Sequence, residues 1–446
     1  MSEGLLSGSF GSRLAPFLVA AALAIALVAI VWIGTPAPAT RTVSSAPVAV
    51  DASRDFSAPQ IARAQTLAGQ VRPWALGSLL AGLLVSAALG FTSWGAWLMS
   101  ASTSFVDGAN HPWRQLILGG FVLLLVGRLS TLPFDAAARA PRVSIGLVTQ
   151  SWGAWLIDVA KSFGITVIVV LAAAAAARGL IVAFPQRWWI VGAAGAGLLV
   201  IAMSFVYPVV IEPLFNRFTP MPDGALRTSL LELADRDGIR VDDVLVADAS
   251  RRTSAVNAYV SGLGASRRIV VYDNLVTRFD EEQVRSVVSH ELGHVKDSDV
   301  RNGTLMGALG ASLVVCLIAG LLGLPGVLRQ IGTTSTSDPR VLPFVLAVVM
   351  VLSVVALPLT GLVSRRIEAR ADVHALELTR DPATLIALQR DLALTNISDP
   401  SPPRWLHLFL GTHPTAPQRI AVARQWAAAN NVSDSSDPSE PRRGVG

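Results

Sequence analysis

Long uninterrupted runs of apolar residues dominate the hydrophobic pattern of this chain. Six of these runs have the length of a helix that crosses the roughly 30 Å hydrocarbon layer of a bilayer, which takes about 20 residues. They are Leu14–Ile33, Leu76–Met99, Phe163–Phe184, Trp188–Val210, Met306–Leu324 and Val341–Val363. A seventh run, Leu116–Leu132, is interrupted by Arg128, whose charge we expect to face protein or water rather than lipid. The pattern predicts a mostly α-helical polytopic membrane protein with about seven transmembrane helices.

Composition agrees with a membrane protein and argues against several other classes. The chain of 446 residues is 52% hydrophobic and only 15% charged, whereas soluble domains average about 25% charged residues. Arginine-rich cytoplasmic loops explain the formal net charge of +5. The sequence lacks a basic patch interleaved with aromatic residues, so a nucleic-acid partner is not expected. The single cysteine, Cys316, excludes an intrachain disulfide and is expected to be a packing residue.

The apolar runs divide the chain into membrane and polar regions. We predict an N-terminal membrane region (1–211), a first catalytic segment (212–304), two further spans (305–363), a second catalytic segment (364–432) and a disordered tail (433–446). The loop Thr35–Pro73 is expected to have little regular structure. The first apolar run is expected to be an uncleaved span, although the small residues Ala37-Pro38-Ala39 leave signal cleavage open.

The two predicted catalytic segments must lie on the same side of the membrane, because two spans separate them. The loops on that side carry many arginines close to span ends, among them Arg41, Arg54, Arg63, Arg72, Arg139, Arg142, Arg365 and Arg366. Positive charge beside the spans is typical of cytoplasmic loops. The sequence therefore predicts that both segments, and any site they share, face the cytoplasm.

The most informative short motif is the H-E-x-x-H pentapeptide His290–His294, which continues a helical pattern that begins near Glu282. Residues four apart share one face of a helix, so both imidazoles can reach one metal ion. Glu291 then lies beside that ion, where its carboxylate can take a proton from water. The alternative is a pair of solvated histidines, but the chain has only six histidines and this spacing favours a metal site.

A catalytic zinc ion takes three protein ligands, so a third donor is expected on the same side of the membrane. Glu368 is the best candidate, and helical spacing puts Asp372 on the same face, where it can accept the ring N–H of a ligating histidine. The alternative is an exposed, charged start of a helix after the last span. Among the remaining histidines, His374 lies on a different helix face, His111 lies on the opposite side of the membrane, and His407 suits packing.

Two further regions on this side can contact a substrate. His413 and Arg419 could stabilise the oxyanion that forms when water attacks a carbonyl. The runs Ala255–Val260 and Arg267–Tyr272 predict a β-hairpin whose edge can pair with an extended peptide, with Asn257 holding the peptide backbone. The alternative for the hairpin is a purely structural role. The alternative for His413 and Arg419 is that they have no catalytic role.

Taken together, these stretches resemble the integral-membrane zinc CAAX prenyl endopeptidases of the H-E-x-x-H type. The resemblance rests on Pro213–Pro220, Ser254–Tyr259, Arg268–Asp273, His290–His294, Arg366–Asp372 and His413–Ile420. It implies membrane helices that enclose a chamber, together with a small α+β zincin-type catalytic domain. It also implies a bacterial member of the family, located in the inner or plasma membrane.

The resemblance assigns a role to each candidate residue. The implied ligands of one zinc ion per chain are His290, His294 and Glu368. The implied catalytic residues are Glu291 as general base, Asp372 and His413. The implied contacts to substrate are Asn257 and Arg419. The expected substrate is a peptide or protein, and whether it is prenylated stays open. The alternatives are a quality-control metalloprotease acting on non-prenylated substrates and, in a different class, a non-enzymatic zinc-holding membrane receptor or channel.

Overall fold

Most of the chain is α-helical in the computed structural model, which describes residues 10–35, 50–105, 111–261 and 267–434. Within these ranges, seven helices are long and apolar enough to cross a membrane. Each of them overlaps one of the seven predicted runs, so the predicted class of polytopic membrane protein is confirmed. The predicted hairpin turn, the Ala37–Ala39 stretch and all but the first two residues of the predicted tail lie outside the described residues.

The N-terminal half consists mainly of long helices. In chain order they are α1 (Phe10–Gly34), α2 (Ala52–Asp55), α3 (Ala58–Gly90), α4 (Trp94–Ala101), α5 (Pro112–Arg114), α6 (Gly120–Ser144), α7 (Trp152–Ala183) and α8 (Trp188–Val206). A π-helical turn, Gln115–Gly119, joins α5 to α6 in one continuous span. A second π-helical turn, Tyr207–Ile211, extends α8 towards the first catalytic segment.

The C-terminal half combines a small sheet with further helices. The strands are β1 (Phe218–Pro220), β2 (Asp243–Ala247), β3 (Ala258–Ser261) and β4 (Arg268–Tyr272). The helices are α9 (Ala225–Arg236), α10 (Asp273–Arg278), α11 (Glu281–Lys296), α12 (Asp299–Leu322), α13 (Val327–Gln330), α14 (Leu342–Thr379), α15 (Pro382–Thr395), α16 (Arg404–Leu410) and α17 (Ala416–Asn430). Helices α12 and α14 provide the sixth and seventh candidate spans.

The sheet has the strand order β1-β2-β4-β3. Strands β2 and β4 are parallel, whereas the two outer pairs are antiparallel. The predicted hairpin is present as β3 and β4, with Tyr259 opposite Val270. Strand β3 is therefore at the edge of the described sheet, where its outer side can accept another extended chain.

The segment before the second span differs from the expectation. The sequence predicts little regular structure over Thr35–Pro73, but α3 begins well inside that range. Ser57 and Gln60 form a capping box at its start, which satisfies free backbone N–H groups. Leu67 and Val71 are buried against the end of α6. The prediction is wrong because an amphipathic helix extends the span beyond its apolar run.

The predicted run Leu76–Met99 is divided between α3 and α4. Helix α3 ends at Gly90, where α14 approaches closely. A Cβ atom at this position would lie only 2.2 Å from the Cβ atom of Ala347, so no larger residue fits without displacing a helix. This contact packs the second candidate span against the seventh.

The sheet and the helices around it pack around one hydrophobic core. Its members come from the sheet and from α9, α11, α14, α15 and α17, and include Leu230, Ile269, Leu292, Leu376, Leu388, Ile420 and Trp426. Helix α14 is continuous from the last candidate span into this core. The two predicted catalytic segments are therefore packed together, although two spans separate them in the chain.

Asp55 connects the segment before α3 to the C-terminal helices. Its side chain is 2% exposed and forms ion pairs with two arginines. Its Oδ2 atom accepts a hydrogen bond from Arg424 Nη1 at 3.0 Å, and its Oδ1 atom accepts one from Arg390 Nη2 at 3.2 Å. Removing one member of such a buried pair leaves the other charge buried, which costs about 3–5 kcal/mol.

We expect Asp55→Ala to lower the free energy of unfolding by about 3–5 kcal/mol, because Arg424 loses its buried carboxylate. Thermal unfolding of the purified protein in detergent would detect this change as a lower Tm. Asp223→Ala is the matched control, since this side chain is 97% exposed, and we expect a change within about 0.5 kcal/mol. Equal Tm values for the two variants would contradict the structural role of Asp55.

Candidate active site

The H-E-x-x-H motif occupies the C-terminal part of α11. Asp280 caps the helix by accepting a hydrogen bond from the backbone N–H of Gln283 at 2.8 Å. The imidazoles of His290 and His294 follow one another on the same face, with ring centroids 4.8 Å apart. The predicted helical arrangement of the two histidines is therefore present.

Glu368 of α14 meets both imidazoles. Its Oε2 atom lies 3.3 Å from His290 Nε2, and its Oε1 atom lies 3.8 Å from His294 Nε2. One donor atom from each of these three residues lies within 4.8 Å of the others. Donors around a tetrahedral zinc ion are about 3.3–3.6 Å apart, and two imidazoles with one carboxylate are a donor set that zinc accepts. The residues present therefore fit a zinc ion.

Close packing of α11 on α14 brings these donors together. Gly293 lies at the contact, where a Cβ atom would be 3.2 Å from the Cα atom of Ala371 and 3.1 Å from the Cβ atom of His374. A side chain at this position would push the two helices apart. The glycine within the motif thus permits the approach of Glu368.

Each imidazole has a carboxylate at its second nitrogen. Asp372 Oδ1 lies 3.0 Å from His290 Nδ1, and Asp299 Oδ2 lies 3.0 Å from His294 Nδ1. A carboxylate at Nδ1 holds the proton on that nitrogen and leaves the Nε2 lone pair available for a metal. Both Nε2 atoms are directed to Glu368, which agrees with a shared metal.

The sequence predicts Asp372 in this supporting position but does not single out Asp299. Asp299 is the first residue of α12, five residues after His294. It reaches the imidazole because Ser298 adopts the left-handed conformation, with a φ angle of 58°, between α11 and α12. Left-handed backbone at a serine is uncommon, so only the short distance along the chain could have suggested this pair.

Arg419 lies behind the histidines and pairs with Asp372. Its Nε atom donates a hydrogen bond to Asp372 Oδ2 at 2.8 Å, and its Nη2 atom forms a second, shorter bond to Oδ1. Asp372 is fully buried, so this charge pairing offsets the cost of removing the carboxylate from water. Arg419 also borders the cleft that contains Glu291, and its contact to substrate remains a prediction.

The electrostatic environment of His290 favours positive charge. Burial and the nearby charge of Arg419 would lower the pKa of His290, but hydrogen bonds to Asp372 and Glu368 outweigh them and raise it to about 9. The carboxylates therefore stabilise a cation at this position, as expected of a site that holds a divalent metal.

Glu291 lines a cleft of about 870 Å³ together with the two histidines and Glu368. Burial raises the pKa of Glu291, while the neighbouring charges of His290 and His294 oppose that rise. A carboxylate with a raised pKa is better suited to accept a proton and return it near neutral pH.

Two more of the predicted site residues line the same cleft. His413 is exposed and its Nε2 atom lies 3.5 Å from Glu368 Oε1, while its Nδ1 atom is bonded to the Thr412 hydroxyl at 2.9 Å. Asn257 precedes the edge strand β3 and is also exposed to the cleft. The structure thus brings all eight predicted site residues to one region, and their individual roles remain predictions.

The other three histidines do not join the metal-binding group. His374 Nε2 lies 2.9 Å from Asp237 Oδ2, on a neighbouring face of α14. His407 borders the cleft, and His111 precedes α5 at an exposed position. The group of three donors found within the described residues is the predicted one.

Known proteins share both halves of this architecture. Residues 57–217 match the CAAX prenyl protease N-terminal region of five membrane helices, and residues 220–427 match peptidase family M48. The chain is 32% identical over 340 residues to the uncharacterized metalloprotease YhfN of Bacillus subtilis, an alignment that covers 73% of this chain and 78% of that protein. It is 28% identical over 286 residues to CAAX prenyl protease 1 of Saccharomyces cerevisiae, covering 60% and 62%.

A solved structure has the same fold. The crystal structure of Ste24p from S. mikatae superposes with a TM-score of 0.74 at 20% sequence identity, covering 92% of this chain and 98% of that one. The chain belongs to peptidase family M48, as the extent of these matches establishes. It is a membrane-embedded zinc metalloendopeptidase similar to CAAX prenyl proteases, which confirms the family resemblance and the predicted enzyme class.

We expect Glu368→Ala to weaken zinc binding by more than about 100-fold, because it removes one of three protein ligands. Loss of a group that only supports a ligand already lowers metal affinity about 10–100-fold, so loss of a ligand should cost more. Zinc bound to the purified protein would be measured by mass spectrometry after dialysis. Glu377→Ala is the control, since Glu377 is an exposed residue on the same helix. Unchanged zinc content in Glu368→Ala would remove Glu368 from the ligand set.

Proposed function

We propose that this chain hydrolyses peptide bonds in membrane-associated substrates, using one zinc ion held by His290, His294 and Glu368. The observation that carries this proposal is the convergence of these three donors beside a further carboxylate, Glu291, in one cleft. A structural zinc site does not need that carboxylate. The arrangement therefore supports hydrolysis rather than a non-enzymatic receptor or channel.

The chain's own residues supply the proton transfers. Zinc, when bound, lowers the pKa of a water molecule towards about 7 and polarises a carbonyl group. The Glu291 carboxylate takes a proton from the attacking water and passes it to the leaving amine. The raised pKa of Glu291, caused by burial, supports both steps.

The remaining charged residues orient the ligands or stabilise developing charge. Asp372 holds the His290 ring through Nδ1, and Arg419 neutralises and fixes Asp372. We therefore assign Arg419 mainly a positioning role, in addition to any contact with substrate. His413 Nε2 lies at the open side of the site, near Glu368, where a donor can stabilise the oxyanion.

The substrate is proposed to bind as an added strand along β3. This strand is at the edge of the described sheet, and the residues that precede and begin it line the cleft. Main-chain hydrogen bonds to such an edge bind an extended peptide with little regard to its side chains. Asn257, which is exposed to the cleft, can hold the peptide backbone.

Substrate selection is proposed to depend on a second cavity, of about 860 Å³, between the membrane helices. Side chains of α3, α6, α7 and α14 line it, and most are apolar. Arg128 faces this cavity and is bonded to Asp135 at 2.5 Å, so its charge is directed inward as expected. Arg252 lines this cavity and the next residue, Thr253, lines the cleft, so the walls of the two spaces meet at this pair of residues. An apolar group of the substrate, such as a prenyl chain, suits this cavity.

We also propose that the catalytic unit is formed by residues 212–304 and 364–432, with the spans of 305–363 between them. Their side chains share one core. The unit is proposed to face the cytoplasm of a bacterial inner or plasma membrane, because arginines concentrate at the membrane ends on that side.

Glu291→Gln is expected to retain zinc and to lower peptidase activity by at least about 1,000-fold, because the amide cannot accept the proton. Zinc content and cleavage of a fluorogenic peptide would be measured on the same preparation. Glu282→Gln is the control, since this residue is on the same helix and its side chain is 60% exposed. Retained activity in Glu291→Gln would remove the assignment of the general base.

Wild-type protein is expected to cleave a farnesylated peptide with a KM about tenfold lower than that of the unmodified peptide, and a chelator should abolish both activities. Gly127→Trp should abolish this difference, because Gly127 lines the membrane cavity and has room for a larger side chain. Gly179→Trp, at an exposed position on α7, is the control. Equal kinetics for both peptides would instead favour a quality-control protease acting on non-prenylated substrates.

A further inference from the structure

A chain of hydrogen bonds connects the end of α1 to the second histidine of the motif. His294 Nδ1 lies 3.0 Å from Asp299 Oδ2. The other oxygen, Asp299 Oδ1, accepts a hydrogen bond from Arg370 Nη2 at 2.5 Å. Arg370 Nη1 in turn donates to the backbone carbonyl of Gly34 at 2.9 Å. One carboxylate and one guanidinium therefore separate the His294 ring from the first spanning helix.

Arg370 is held on three sides by this arrangement. Its Nε atom lies 2.7 Å from Asp297 Oδ2, which adds a second ion pair. The side chains of Arg370 and Asp299 are only 13% and 9% exposed, so water cannot readily replace a lost partner. A buried N–H group without an acceptor costs about 1–3 kcal/mol. The hydrogen bond to the Gly34 carbonyl therefore contributes to holding the Arg370 side chain in its observed position.

The packing of α1 against α12 fixes the position of that carbonyl. The two helices are antiparallel, since Phe17 contacts Gly320 and Gly34 contacts Asn302. Asn302 also donates a hydrogen bond from Nδ2 to the backbone carbonyl of Asp297 at 3.3 Å. The turn that carries Asp297 and Asp299, the two carboxylates that pair with Arg370, is thus in contact with the end of α1.

Asp299 can orient His294 only while its own carboxylate is fixed. The terminal torsion of an aspartate is broad, so an unpaired carboxylate samples many orientations. Arg370 limits that freedom by pairing with Oδ1 while Oδ2 meets the ring. Asp372 has an equivalent partner in Arg419 on the side of His290. Each metal-binding histidine is thus held by an aspartate that is itself held by an arginine.

We propose that Arg370 is a positioning residue for the metal site and that α1 helps to hold Arg370 in place. Docking of α1 against α12 holds Arg370, which holds Asp299 and so directs Nε2 of His294. The inference rests on the proposed role of His294 as a zinc ligand. Helix α1 lies outside residues 57–217 and 220–427, so neither matched family region contains it.

The first test is the affinity for zinc, measured by competition with a chromogenic chelator on full-length protein in detergent. Arg370→Gln is expected to bind zinc about tenfold more weakly, because loss of a supporting partner costs 10–100-fold. The d–d spectrum of the cobalt(II)-substituted variant should change as the His294 ring loses its orientation. Arg366→Gln is the control, since Arg366 is on the same helix and has no ion-pair partner among the described residues.

The second test displaces α1 without altering the site. A Cβ atom at Gly320 would lie 2.6 Å from the Phe17 ring, so Gly320→Val should push α1 away from α12. Zinc affinity is expected to fall about threefold to tenfold, within the range of supporting groups. Gly310→Val is the control on the same helix, because nothing lies within 4 Å of a Cβ atom there. The Tm of each metal-free variant would show that the fold is retained.

The outcomes separate this inference from the proposed function. Weaker zinc binding in both Arg370→Gln and Gly320→Val, at unchanged metal-free Tm, supports the inference. It is overturned if wild type binds zinc and cleaves peptides while either variant binds zinc as tightly as its control. It is also overturned if weaker binding is fully accounted for by a lower metal-free Tm. Wild-type protein that binds no zinc would overturn the proposed function as well.

Discussion

The close contact of α11 with α14 is the constraint on which the active site depends. Gly293 allows the two helices to approach until a Cβ atom between them would lie 3.2 Å from the α14 backbone. Only at this separation does Glu368 reach both imidazoles of α11. The core that the two helices share with α15 and α17 holds them there, so hydrophobic packing determines the geometry of the polar centre.

Charges around this centre are arranged in alternating layers. Two imidazoles and the Glu368 carboxylate form the centre, aspartates contact the imidazoles, and arginines pair with the aspartates. Both buried aspartates thus have an arginine partner, which limits the cost of desolvation. The same pairing restricts rotation of both imidazole rings.

The sequence predicts those parts of the site that depend on local spacing or on the number of membrane crossings. His290 and His294 follow from helical periodicity, and Glu368 follows because its segment shares a side of the membrane with the motif. Asp299 was missed because its contact depends on left-handed backbone at a serine. The start of α3 is not predicted because polar residues surround its few buried positions. The ion pair of Arg419 with Asp372 is not predicted because it depends on tertiary packing.

The continuity of α14 relates the catalytic centre to the lipid surface. The apolar run of this helix ends near Val363, and Glu368 follows five residues later on the same rigid helix. At 1.5 Å per residue, this difference corresponds to about 7–8 Å along the helix axis. Scission would therefore take place at a nearly constant height above the hydrocarbon boundary. For a substrate held in the bilayer, as proposed above, the peptide bonds just beyond its lipid-embedded group would lie at this height.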